Sequence, residues 1–235
     1  MSDVQSHLRS LERSRRSRTD PDRPRTFSLR GREWDLLDDV FAPIHSPSTE
    51  IALEFLGLDE IGAQQPSSLL EIGCGTGVIA VSAALAGCRT VASDINENAV
   101  RNTRLNADRH GVGDRLTAVH SDLFDAFDDG ARFDRIFWSS NYVLAPEDFV
   151  HRSVHERSYV DPAYRAHRRY LAEAPGHLTE GGAVLLHFCE RGNLARLSQI
   201  AEECGRELRV LRSRTVLEGE DRIEHHLLEV RPLDG

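Results

Sequence analysis

The 235-residue chain carries 29 basic and 38 acidic side chains, a formal net charge of −9, with 40 % hydrophobic and 6 % aromatic residues. That length supports one α/β domain with a sizeable core and a short appendage, and no run of ~18 apolar residues or secretory leader pattern is present, so a soluble cytoplasmic protein without membrane contact is expected. The acidity disfavours a dedicated nucleic-acid binder, and four scattered cysteines (Cys74, Cys88, Cys189, Cys204) with no C-x-x-C pair spell neither a zinc knuckle nor a disulfide framework.

Residues 1–25 are polar and rich in arginine and serine, and Pro21 and Pro24 punctuate them. They read as a flexible arm or a short frayed helix ahead of the fold. Every basic residue is an arginine, spread over all polar stretches, which reads as a coding bias rather than a site. Residues 26–66 form an expected cap or lid segment: TFSLRGREWDLL alternates around an Arg-Gly turn as a β-hairpin does, and Ser46-Pro47 ahead of STEIALEFLGL starts a helix over about 47–57. Residues 67–235 then alternate strand-like and helix-like runs: SLLEI, VIAVSAALAG, TVASD, ENAVRNTRLNADRHG, LTAVHSD, FDRIFWS, PAYRAHRRYLAEAPGHL, GGAVLLHF, NLARLSQIAEECG, RVLRSRTVLE and IEHHLLEV. Seven strands with helices between them predict a Rossmann-like α/β fold, a mostly parallel sheet with helices on both faces. Only Gly219, Glu220 and Asp221 separate the last two strands, so they pair antiparallel.

EIGCGTG (71–77) leaves a strand and enters a helix, with glycines at 73, 75 and 77 that let a ligand approach the backbone. The third glycine comes one residue early for a nicotinamide-dinucleotide fingerprint. Asp94 ends the second strand, where a carboxylate can accept both hydroxyls of a ribose, and Asp122 ends the third, near an adenine amino group. Each alone is equally a strand-end cap or Asx turn. His151 and His155 stand four apart, but no third ligand or H-E-x-x-H accompanies them and no metal is expected. His225-His226 lies on a strand where neighbours face opposite sides, and reads as structural. Trp138 and Phe124, at strand ends, read as core.

The E-x-G-x-G-x-G loop, the acid ending the second strand and the antiparallel final hairpin resemble the class I S-adenosylmethionine-dependent methyltransferases over roughly residues 40–232. Within them, SDLFDAF (121–127), FDRIFWSSNY (133–142) and VFAPIHSPSTE (40–50, two residues longer) are similar to segments of the HemK-type glutamine methyltransferases that modify peptide-release factors. That family's N-P-P-Y turn, which grips the acceptor nitrogen, falls on Ser139, Ser140, Asn141 and Tyr142, where only the tyrosine matches.

The resemblance implies S-adenosylmethionine as methyl donor, S-adenosylhomocysteine as product, and a cofactor site of Glu71, Gly73, Cys74, Gly75, Gly77, Asp94, Ile95, Asp122 and Leu123. Ser139, Asn141, Tyr142 and Glu156 are the candidate catalytic residues, and Ser140, Glu147, His151, His155 and Glu190 the candidate substrate contacts. The altered turn points to N-methylation, on an amine, guanidine or amide nitrogen, of a small molecule such as an amino acid or natural-product intermediate, cationic if the acids Glu147, Asp148, Glu156 and Glu190 surround it. A peptide or protein acceptor, a small-molecule O-methyltransferase, nucleic-acid base methylation and a non-catalytic nucleoside binder are the competing readings, and a homodimer is compatible with all of them. A small acceptor predicts a pocket lidded by residues 143–165 or the N-terminal segment; a protein acceptor predicts an open cleft.

Overall fold

The computed structural model describes residues 3–58 and 67–233; residues 59–66, the end of the expected cap segment, lie outside the described residues. The stretch read as a flexible arm is a 17-residue helix, α1 (Asp3–Thr19). Its buried side is Ser6, His7, Ser10, Ser14 and Ser17, recurring at helical spacing, so the helix docks largely through hydroxyls, with Leu11 packed against the Val143 and Val160 cluster and the His7 ring against Phe149. Ser6 donates to the Arg191 carbonyl (2.5 Å) and Ser10 to the Tyr159 carbonyl (2.9 Å). These bonds satisfy groups that burial would otherwise penalise.

The hairpin β1 (Thr26–Leu29) and β2 (Arg32–Asp35) turns through Arg30 and Gly31, both at positive φ (52° and 71°), as the Arg-Gly signal predicts. Helix α2 (Ser48–Phe55) follows, with Pro47 at its N-cap rather than at the first helical position. The main sheet holds β3 (Ser68–Ile72), β4 (Arg89–Asp94), β5 (Leu116–His120), β6 (Phe133–Ser139), β9 (Leu178–Cys189), β10 (Arg206–Glu218) and β11 (Asp221–Pro232). Two short strands, β7 (Leu144–Ala145) and β8 (Asp161–Pro162), pair separately, in parallel. The sheet order is β10-β11-β9-β6-β3-β4-β5; β11 alone runs antiparallel, inserted between β9 and β10. The final hairpin is as short as the sequence requires.

Helices α3 (Val78–Leu85), α4 (Glu97–Arg109), α5 (Arg165–Glu173) and α6 (Leu194–Glu203) cover the sheet. One core joins α2, α3 and α4 to Phe137, Leu185 and Leu227; a second joins α5 and α6 to Leu70, Ile136 and Leu186 on the other face. This is the expected two-faced architecture. On α4, buried Asn102 and Asn106 act as a side-chain strand. Asn106 accepts from the Asp35 N–H (2.7 Å) and donates to the Thr76 carbonyl (2.8 Å), while Asn102 accepts from the Leu37 N–H (2.8 Å), tying the hairpin to the glycine loop. Trp138 and Phe124 are buried in the second core, as expected.

Candidate active site

A cleft of about 960 Å³ lies across the C-terminal ends of the parallel strands, where open α/β sheets bind ligands. Its floor is the β3–α3 loop. Gly73, Gly75 and Gly77 all take left-handed φ (66°, 55° and 79°), a conformation costly for any side chain. A Cβ on Gly77 would strike Thr103 at 2.8 Å, so Gly77 fixes the turn against α4 rather than facing the cleft. Gly75 lines the cleft, and nothing lies within 4 Å of where its Cβ would stand. That space is open for a ligand against bare backbone.

Glu71 is buried, and its Oε2 accepts from the Ala80 N–H (2.8 Å), capping α3 where Gly77 supplies no side-chain cap. Burial drives its carboxyl well above the usual range, against the pull of that bond. Asp94 accepts from the Gly75 N–H (3.0 Å) and the Asn96 N–H (2.8 Å), one on each oxygen. Burial raises its pKa despite these bonds and a further one from the Ile95 backbone, and Asp94 lines the cleft. Cys74, Ile95 and Leu123 also line the cleft. Asp122 does so too, but its Oδ1 is shared with Arg169 (3.3 Å). The residues fit an S-adenosyl group: a Cβ-free cradle, a carboxylate at the end of β4 for a ribose, and polar groups after β5.

At the opposite end stands the altered turn. Ser139, Ser140, Asn141 and Tyr142 all line the cleft. Ser140 donates to the His187 carbonyl (3.0 Å). Asn141 Nδ2 donates to the Arg157 and Val160 carbonyls (2.7 and 3.1 Å), which fixes its orientation and leaves buried Oδ1 without a partner among the described residues. The Tyr142 carbonyl accepts from the Tyr164 hydroxyl (2.7 Å), while burial raises its own phenol far above the ordinary value.

Over this end lies a roof of two pieces. Helix α1 contributes Ser10, Arg13, Arg16 and Ser17, and the 149–162 segment contributes Phe149, His151, Arg152, Arg157 and Tyr159. The pieces join where Ser14 Oγ meets His155 Nδ1 at 2.8 Å and where Ser10 bonds the Tyr159 carbonyl. His151 lines the cleft with Nε2 3.2 Å from the Val160 carbonyl.

Several sequence-predicted site residues lie elsewhere. His155 is a roof anchor, not a substrate contact: it is fully buried under α1, and burial, with the Arg23 charge nearby, lowers its pKa to about 4. Glu156 accepts from the Arg152 N–H (2.7 Å) and closes its own loop. Glu147 and Glu190 are exposed on the outside, and neither, nor Asp148, lines the cleft. The four acids expected to surround a cationic acceptor are therefore not in the described cleft, which Asp20, Asp161 and Glu218 line together with Arg13, Arg152 and Arg157. Arg13 makes its side-chain hydrogen bond to the Ser10 hydroxyl (3.2 Å), and with Arg152 and Arg157 it has no carboxylate partner among the described residues. The sequence carried a signal for the α1 contribution, the serines at 6, 10, 14 and 17, which a search for apolar periodicity passes over.

Sheet order, glycine cradle and strand-end carboxylate together define a Rossmann-like methyltransferase fold of class I. A methyltransferase-domain family model matches residues 69–158. The release factor glutamine methyltransferase of Bordetella pertussis is 30% identical over 215 residues, covering 85% of this chain and 76% of that one. Its counterpart from Chlorobaculum tepidum is 31% identical over 156 residues, 60% of this chain and only 53% of that relative, so this chain spans about half of its length. Among solved structures, the E. cuniculi Mtq2–Trm112 complex superposes with a TM-score of 0.57 at 18% identity, over 83% of this chain and 99% of that one. The chain belongs to the S-adenosylmethionine-dependent methyltransferases, in the family of the release factor glutamine methyltransferases.

Proposed function

We propose that this protein N-methylates a small molecule carrying a carboxylate, an amino acid or a similar intermediate, with S-adenosylmethionine as donor. The observation that supports it most is the roof: α1 and residues 149–162 line the cleft beside the acceptor turn and narrow its mouth, where a protein acceptor would need a broad open groove. When bound, S-adenosylmethionine supplies a methyl group already activated on a sulfonium, so proximity, alignment and dryness are what the protein must add.

Asp94 and the Gly73–Gly75 backbone would hold the nucleoside and orient it along the cleft. Ser139 Oγ offers an oxygen acceptor for an N–H group of the methyl acceptor, turning its lone pair toward the cofactor. Arg13, Arg152 and Arg157 offer charge-assisted bonds to a carboxylate. The roof residues exclude water. The alternative, a glutamine side chain of a protein as in the named relatives, is favoured by family membership but must open this roof.

Calorimetric titration of the full chain with S-adenosylhomocysteine, then with amino acids and their carboxamides on top of it, tests the reading. We expect tighter binding of the carboxylates, and Arg13→Gln should remove that preference. Equal binding of acids and amides, or none of either, would contradict it.

A further inference from the structure

From Ser139, a candidate catalytic residue, a line of polar side chains runs behind the acceptor turn through His187, His225 and Glu218; sequence analysis read His225 as structural and passed over the other two. Ser139, at the end of β6, sits opposite His187 on β9, and its Oγ lies 3.1 Å from His187 Nδ1. His187 Nε2 lies 2.9 Å from Nδ1 of His225 on β11. His225 Nε2 lies 3.1 Å from Oε1 of Glu218, the last residue of β10. Both imidazoles are fully buried, and the Phe55 ring stands edge-on against His187 at 5.7 Å. Glu218 is held by Arg191 at 3.0 Å, and Arg191 also reaches Asp221 at 3.9 Å.

The Glu218 charge and a neutral His225 ring together set the direction of every bond in this line. Burial opposes ionisation of Glu218, but the His225 bond and the Arg191 charge outweigh it and hold the carboxyl below its ordinary range. An ionised carboxylate only accepts, so His225 donates from Nε2, and in the neutral form of the ring that the proposal takes, Nδ1 accepts. The hydrogen on that bond therefore belongs to His187 Nε2, and His187 Nδ1 is a bare lone pair. Burial keeps the His187 ring neutral, with its pKa lowered to about 3. Ser139 then donates its single hydrogen inward to His187, and its oxygen lone pairs are what it presents to the cleft.

We propose that Glu218, His225 and His187 form a one-way hydrogen-bond chain that holds the Ser139 hydroxyl as an acceptor for an N–H or O–H of the methyl acceptor. Ser139 is the residue that touches the acceptor; His187 and His225 are positioning residues, and Glu218, which also lines the cleft, is proposed to act on Ser139 through them. The site thereby selects an acceptor atom that still carries hydrogen, a primary or secondary amine, an amide or a hydroxyl, over a thioether or tertiary amine. The chain is fully satisfied within the protein except at that one oxygen. By contrast, His155 and His167 each leave Nε2 without a partner among the described residues. Two imidazoles would be a costly filling for a core position that hydrophobic side chains could occupy, unless the line is used.

This inference rests on the cofactor site described above, and the test separates the two. The full chain and its Ser139→Ala, Ser139→Thr, Glu218→Gln and Ser139→Ala/Glu218→Gln variants are titrated calorimetrically with two probes. One is S-adenosylhomocysteine; the other is sinefungin, in which an amine-bearing carbon replaces the methyl-bearing sulfonium. S-adenosylhomocysteine should bind all five proteins alike. The wild type should favour sinefungin, a preference that falls about tenfold in Ser139→Ala, the scale of one lost hydrogen bond to a charged group, and survives in Ser139→Thr. Glu218→Gln should lower it as well, and the double variant should lose no more than Ser139→Ala alone, because Glu218 acts through Ser139. An unchanged preference in Ser139→Ala, or additive losses in the double variant, would overturn the chain. Binding of neither probe to the wild type would overturn the cofactor site along with it.

Discussion

The two ends of the cleft are assembled over very different chain distances. In the cofactor cradle, Asp94 meets Gly75 across 19 residues and Glu71 meets Ala80 across 9. At the acceptor end, Ser10 reaches Tyr159 across 149 residues, Ser14 reaches His155 across 141 and Ser139 reaches His187 across 48. The cradle relies on backbone N–H groups and left-handed glycines within one β-α-β unit, whereas the roof depends on side-chain hydroxyls from a helix remote in sequence. A cradle of the first kind survives changes of substrate; a roof of the second kind can be rebuilt without disturbing it. The chain has kept the family's glycine loop while altering three of the four residues of its acceptor turn.

That contrast predicts unequal responses to acid. His155 has a folded pKa of about 4, below its unfolded value near 6.5, so the undocked form binds the proton more readily. Above pH 6.5 neither form is protonated and the roof keeps its full stability; between pH 6.5 and 4 that stability drains away, by on the order of 3 kcal/mol. Hydrogen exchange at pH 7 and pH 4.5 should show α1 amides losing protection well before those of α3. Simultaneous loss would break the comparison.

Asp94→Ala probes the other end. Loss of a buried acceptor should weaken S-adenosylmethionine binding more than about tenfold, roughly 1.5–3 kcal/mol, while leaving exchange in α1 unchanged. Unaltered affinity by calorimetry would place the ribose elsewhere. Smallest is Ser14→Ala, which should cost about 1 kcal/mol of α1 docking and leave cofactor affinity within error, because it removes one hydrogen bond to the neutral His155 ring. A matching drop in cofactor affinity would mean that roof and cradle are one cooperative unit.

The same contrast decides what the sequence could disclose. The glycine loop, the Arg30-Gly31 turn and the final hairpin were legible because each is a local pattern with one conformational meaning. Strand and helix runs in residues 67–233 were likewise set by their own periodicity. The Ser139–His187–His225–Glu218 line was not, since it needs the register of β6, β9, β10 and β11, which the whole sheet determines. Glu147, Glu156 and Glu190 were misplaced for a related reason: in irregular loops no period fixes which way a side chain turns. Helix α1 lay between these cases. Its serine stripe was in plain view, but a polar stripe means burial only when partners such as Tyr159 and His155 are already in place.

The most direct measurement is release of S-adenosylhomocysteine by the full chain, supplied in parallel with a panel of amino acids and related small amines and with a glutamine-bearing release-factor peptide and intact release factor. A roofed acceptor site predicts turnover on a small carboxylate-bearing amine or amide and none on the protein. Turnover on the release factor alone would contradict it, and would make the roof a lid that opens for a protein loop.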